Sequence, residues 1–314
     1  MVLVVDATPA GAPRKQIYRR GFRTKALALE ALDEAKAALR SGSFVEPSRD
    51  TVAGFLREWL DTASTRLRPS TAFSYRRNLE QHVIPRIGST PLQALDAQAL
   101  NKLFSDLLAP GTNRTRRADG LSARSVSYIA TITKRALSDA VKLGRIARNP
   151  AERSTPPKST NRSKGHATWT GEQVGQFLER AESDQDSDAV LWRFLASTGV
   201  RQGEALGVRW TDVDLDEGKA TIEQTVTITN HVIVMSTPKT SSGSRTIDLD
   251  GATFRALRVH RTRQLEQRLA LGAGWREHGL VFPSVTGEPM HPESAAKRFA
   301  FRRDRPARVR LTLS

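Results

Sequence analysis

An α+β fold that is mainly helical follows from two patterns in the sequence. From about residue 50 to 148, apolar residues recur at helical spacing almost without interruption. Beyond Asp214 the period changes: Ala220, Ile222, Gln224, Val226 and Ile228 alternate as a strand does. A third observation bounds the function. The 314 residues carry a net charge of +16, which calls for a polyanionic partner.

The remaining composition narrows the class. There is no cysteine, so disulfides and thiolate metal sites are excluded and a cytoplasmic setting is expected. No apolar run approaches the roughly 20 residues a membrane span needs, and Asp6 interrupts the opening Val2–Val5 run before it reaches signal-peptide length. No amphipathic helix with a polybasic rim speaks for a membrane surface, so nucleic acid is the favoured partner.

Along the chain, residues 1–46 read as a small sheet-plus-helix unit. Val2–Val5 and Gln16–Tyr18 are short strands joined by a turn through Pro9, Gly11 and Pro13, and a helix from Thr24 turns Leu27, Ala31, Ala35 and Leu39 to one face. Arg14, Lys15, Arg19, Arg20, Arg23 and Lys25 crowd its second strand and the entry to the helix. Residues 50–148 read as four helices. The first is capped by Asp50 or Thr51 and turns Val52, Leu56, Trp59 and Leu60 inward. The second begins at Ser70–Thr71 and is ended by Pro85; the third runs from Asp96 through Leu107; the fourth starts at Ser122 and carries Val126, Ile129, Ile132, Ala136 and Leu137. Arg76, Arg77, Arg124 and Lys134 on these helices are candidate phosphate contacts. Residues 149–167, with Pro150, Pro156, Pro157, Arg162 and Lys164, read as a basic linker.

Residues 168–314 form the last domain. Thr170–Gln173 starts one helix and Leu191–Leu195 lies in the next, which Gly199 stops in left-handed geometry. The chain then restarts at once, placing Arg201 in the first turn of a new helix with Glu204 three residues on. A cation set there, where the helix dipole favours negative charge, is suited to share an anion with it. On spacing alone the pair reads equally as an ordinary surface ion pair. Strands at His231–Ser236 and Ser244–Leu249 follow as a hairpin joined by Thr240–Gly243, with Lys239 just before its tip, and then a helix with Phe254, Leu257, Leu265 and Leu269.

The string Thr198-Gly199-Val200-Arg201-Gln202-Gly203-Glu204-Ala205-Leu206, continued by Trp210, Asp212 and Asp214, resembles the first catalytic box of the tyrosine recombinases, the phage-integrase family. The resemblance implies that Arg201 binds the scissile phosphate, that Glu204 supports it, and that Lys239, in Thr237-Pro238-Lys239-Thr240, is the general acid that protonates the departing 5′ oxygen. It further implies an arm-type DNA-binding unit at 1–46, a helical core-binding (SAM-like) domain at 50–148 and a mixed α/β catalytic domain at 168–314. The partner the resemblance implies is duplex DNA at attachment-type sites, bound as a multimer, a tetramer in the family. Neither metal nor other cofactor is called on.

The chain departs from that pattern after Phe299. The family's second box, H-x-x-R with a further histidine, has no counterpart in Phe301–Ser314. His260-Arg261-Thr262-Arg263 matches by letters but sits mid-helix, and His291 lacks an arginine three residues on. The three tyrosines, Tyr18, Tyr75 and Tyr128, all precede Arg201. The sequence therefore predicts a catalytic domain that is truncated and inactive as it stands, with apolar surface bared at Leu206, Val208 and Phe282. The alternative is a DNA-binding protein without catalysis, a remnant or competitor of an intact integrase.

Overall fold

The computed structural model describes residues 2–6, 16–20, 23–40, 44–111, 119–158, 168–230, 232–236 and 244–304. The chain divides into two compact units, residues 1–164 and 165–314. The described residues are mostly helical, with small antiparallel sheets.

In the first unit, β1 (Val2–Asp6) and β2 (Gln16–Arg20) pair antiparallel, Val4 opposite Tyr18. The helix α1 (Lys25–Arg40) buries Ala28 and Ala35, while Leu27 faces solvent instead of joining them. Thr51 caps α2 (Val52–Ser64) by accepting from the Gly54 amide at 3.1 Å. Pro69 opens α3 (Pro69–Asn78), a proline being harmless in a first turn where no backbone donor is needed. Pro85 does not end this segment. A π-helical turn over Leu79–Val83 widens the backbone, and the chain continues as α4 (Ile84–Ile87) with the proline in its first turn. Asp96 caps α5 (Ala97–Leu108) and Ser122 caps α6 (Ala123–Lys142). Their inward faces, Leu100, Leu103, Phe104 and Leu107 against Val126, Ile129, Ile132 and Leu137, close one apolar core with α2. Asn149 and Ala151, placed by sequence in the linker, belong to that core: Asn149 donates to the Lys134 carbonyl (3.0 Å) and the Ser138 hydroxyl (2.8 Å).

The second unit begins with α7 (Gly171–Ser183), whose Thr170 and Gln173 form a reciprocal capping box, followed by α8 (Ala189–Thr198) and the short α9 (Gln202–Gly207). The alternating stretch from Ala220 to Ile228 is two strands rather than one. β4 (Lys219–Ile222) lies between β3 (Val213–Asp214) and β7 (Arg245–Asp248), while β5 (Thr225–Thr229) pairs with β6 (Val232–Ser236) in a separate sheet. The two strands flanking Lys239 thus lie in different sheets, so the expected hairpin of β6 on β7 is replaced by the β5–β6 and β4–β7 ladders. Two helices complete the unit, α10 (Gly251–Leu271) and α11 (Pro292–Arg303). Leu206, Val208 and Phe282, expected to be bared, are each no more than 3% exposed: they pack with Phe194, Val281 and Met290 in the second core. No described helix is long and apolar enough to cross a membrane.

Candidate phosphate site

The site is built by the junction of α8 and α9. Gly199 takes φ +64°, the left-handed conformation that closes α8, and Val200 is buried directly after it. This turn sets Arg201 at the N-cap of α9, in extended geometry, rather than inside its first turn. With only six residues, α9 offers little macrodipole, so any attraction for an anion here belongs to the guanidinium itself.

What fixes α9 is close packing. A Cβ on Gly203 would stand 2.6 Å from the Val226 carbonyl oxygen, and one on Gly207 would stand 2.8 Å from that of Gln224. The two glycines let the helix lie directly on the backbone that enters β5, and Gln224 donates to the Gly207 carbonyl at 2.8 Å to close its other end. At the start of the helix, Gln202 donates to the Pro292 carbonyl (2.9 Å), tying it to α11.

Glu204 is the buried centre of the site, 5% exposed. Its Oε2 accepts from the Arg201 backbone amide at 3.0 Å, the glutamate arm of a capping box, and its Oε1 accepts from Arg201 Nη1 at 2.9 Å. A second guanidinium joins them: Arg245 Nη2, from the first residue of β7, donates to Oε2 at 2.8 Å. Burial pushes the Glu204 carboxyl up. The hydrogen bonds from Arg245 and from the amide and side chain of Arg201 outweigh it and hold the group at about 2. Glu204 is therefore a fixed anion under any ordinary condition. The Arg201 side chain, although held at one nitrogen, is 82% exposed. A guanidinium anchored on one side and open on the other is suited to a bidentate grip on phosphate oxygens.

The rest of the motif is scaffold. Asp212 takes two side-chain hydrogen bonds from Arg209, at 2.8 and 2.9 Å, and one from its amide at 3.1 Å. Trp210 donates its indole N–H to Gln264 of α10. Asp214 accepts from the amides of Asp216 and Glu217 and shapes the turn into β4. The two histidines weighed against the second box, His260 and His291, are structural. His260 donates to the Val281 carbonyl at 2.7 Å, lies against the Phe282 ring and is pushed down by burial. His291 caps α11 through the Glu293 amide.

The other sequence-derived candidates divide three ways. Lys239, Arg14, Lys15, Arg162 and Lys164 lie outside the described residues, and the side chains of Arg19 and Arg20 are likewise not described. Arg23, Lys25, Arg77, Arg124 and Lys134 are exposed. Arg76 is engaged, bound to Asp61 at 2.6 Å and Glu80 at 3.4 Å. Within the first unit, Ser74 of α3 and Tyr128 of α6 touch through their hydroxyls (3.3 Å), and Arg77 and Arg124 lie about one turn along those helices from them. Arg135, which sequence reasoning missed, joins this face: it bonds the Tyr75 hydroxyl at 3.2 Å and lies over that ring. Its signal was the i+7 spacing from Tyr128. Arg245 was also missed, and no local spacing marks it, since it lies 41 residues from Glu204.

Comparison with known proteins gives a consistent picture. The model for the phage integrase N-terminal SAM-like domain matches residues 51–108, and the phage integrase family model matches residues 168–303. An integrase of Streptomyces ambofaciens is 27% identical over 290 residues, covering 91% of this chain and 71% of its own length. A XerC-like tyrosine recombinase of Caldanaerobacter subterraneus subsp. tengcongensis is 22% identical over 306 residues, with 91% and 74% covered. Among solved structures, the Tn1549 transposon integrase in complex with a circular intermediate DNA aligns at a TM-score of 0.63 and 16% identity, over 84% of this chain and 82% of that one. A lambda integrase tetramer bound to a Holliday junction aligns at 0.54 and 16%, over 91% and 78%. At these identities the structural likeness speaks for the fold.

Proposed function

This chain belongs to the phage integrase family, the tyrosine recombinases, and on that premise we propose how its residues meet DNA. The first unit binds the duplex through the exposed basic residues Arg77, Arg124, Lys134 and Arg135, with the N-terminal basic cluster as an arm-type contact. In the second, Arg201 holds the phosphate at the scissile position, Glu204 braces it, and Lys239 delivers a proton to the departing 5′ oxygen. On DNA the chain assembles as a multimer, a tetramer in the reading that the family resemblance gives. The observation that carries this reading is the pairing of a buried, permanently ionised Glu204 with an Arg201 side chain left open to solvent.

The covalent step asks for a tyrosine hydroxyl to attack phosphorus, form a 3′-phosphotyrosyl bond and release the 5′ oxygen as a hydroxyl. The 314 residues supply none near Arg201 in sequence. Tyr75 is packed on Trp59 in the core of the first unit, and Tyr128 is a surface residue of α6. We therefore propose that these 314 residues by themselves grip a phosphate without cutting the strand. The test is a denaturing gel of the protein mixed with labelled, nicked duplex. No protein–DNA band is expected. A band that survives detergent and is lost on changing one tyrosine to phenylalanine would overturn this part of the reading.

A further inference from the structure

We infer that Arg245 is a positioning residue for Arg201: through the Glu204 carboxylate they share, it fixes the direction in which Arg201 faces a phosphate. The inference rests on the reading of Arg201 as the phosphate ligand. Three features support it. First, Arg245 is placed by the sheet and not by α9. It opens β7 opposite the fully buried Ile222, and the neighbouring rungs are pinned by a Thr221–Thr246 hydroxyl contact at 3.1 Å and a Ser244–Glu223 hydrogen bond at 2.9 Å. A donor fixed in this way stops the Glu204 carboxylate from turning about its own side chain. Arg201, bonded to the other oxygen, inherits that rigidity.

Second, the charges count in favour of ligand binding. Glu204 alone would neutralise Arg201 and blunt its attraction for an anion. A second guanidinium on the same carboxylate shares its charge with Arg201, so the brace is not spent on Arg201 alone. Third, Arg201 and Arg245 are the charged groups hydrogen-bonded to Glu204 among the described residues, one from its own helix and one from β7. No other described side chain shares the task.

The test combines a titration with a binding cycle on the full chain. The Glu204 carboxyl is followed by carbon NMR in the unaltered protein, in R245Q and in R245K, with a thermal melt confirming each fold. Glu204 is expected to stay ionised well below pH 4 in the unaltered protein. In R245Q it should rise by about one pH unit or more, and in R245K by less, because lysine keeps the charge without the planar fork. Should R245Q fail to fold, R245K decides alone: a raised midpoint supports the inference and an unchanged one overturns it. Affinity for a 30-bp duplex is then measured for R201A against the unaltered chain and for the R201A/R245Q pair against R245Q. A smaller penalty in the R245Q background is expected, and an equal penalty overturns the positioning role. If R201A binds as tightly as the unaltered chain, the phosphate reading of Arg201 fails, while the Glu204 titration still decides whether Arg245 holds that carboxylate.

Discussion

Among the described residues of the first unit, the buried polar ones are neutral: Thr133 bonds the Ile129 carbonyl and Asn149 bonds the Lys134 carbonyl. The second unit buries carboxylates, and each of them holds arginine. Asp186 and Asp188 take Arg302 and Arg298 of α11, Asp212 takes Arg209, and Glu204 takes Arg201 and Arg245. An ionised carboxylate out of water costs several kcal/mol unless it is paired, so the second unit carries an expense the first avoids. What it gains differs from one pair to the next. Arg302, Arg298 and Arg245 have side chains 22%, 42% and 36% exposed and join separate elements, while Arg209, at 40%, closes the short turn that Asp212 ends. Arg201, at 82%, is the one in this set that a buried carboxylate holds out toward solvent. The contrast is between a unit that uses its core for stability and one that also uses it to aim charge.

That contrast can be broken most forcefully in the first unit. Phe104→Ala, in a fully packed apolar core, is expected to cost about 3–5 kcal/mol in a denaturant melt of that unit. It should leave the Glu204 titration untouched, and a shifted titration would show that the two cores do not act separately. Next in size, Gly203→Ala forces a methyl group against the β5 backbone and should cost about 1–3 kcal/mol. Because the displacement lies two residues from Arg201, DNA affinity should fall with it. Stability lost with affinity intact would separate the packing of α9 from the aim of Arg201.

Glu204→Gln is expected to cost about 1–2 kcal/mol at neutral pH, since the arginines it abandons can rehydrate. Its sharper signature is pH dependence. The folded-state carboxyl sits near 2 against an ordinary 4.5, so its contribution is complete above about 4.5 and is lost as pH falls toward 2. Melts at pH 7, 4 and 3 should show the unaltered chain and E204Q converging as the pH drops. A constant gap would mean that Glu204 is not the held anion described here.

The sequence made the helical unit legible because its signals are local. Thr51, Asp96 and Ser122 each stand one residue before their helix and bond an amide three residues on, and the apolar positions of α5 and α6 repeat at helical spacing into a single core. The Arg201–Glu204 pair was legible for the same reason, at three residues apart. What stayed hidden depends on the tertiary fold. A break at Glu223–Gln224 that sends β4 and β5 to different sheets leaves the alternation of side chains intact. Pro85 reads as a helix end unless the π-helical turn before it is known. Arg245 reaches Glu204 across a sheet register that no short pattern encodes. The apolar surface expected at Leu206, Val208 and Phe282 was misjudged because α10, α11 and the 280–282 segment already share the core they form.

The smallest expected change in stability belongs to Arg201→Ala, about 1 kcal/mol because Glu204 loses one charged hydrogen bond but keeps Arg245 and the backbone amide of residue 201, and it gives the most direct test of the account. Equilibrium binding of the unaltered chain and of R201A to one duplex is measured across a salt series. Affinity should fall steeply with salt for both, as expected of a chain with a net charge of +16. If Arg201 neutralises a backbone phosphate, R201A should bind more weakly, with a slope of log K against log salt shallower by about 0.9. Identical slopes and affinities would contradict the claim that Glu204 holds Arg201 out for phosphate.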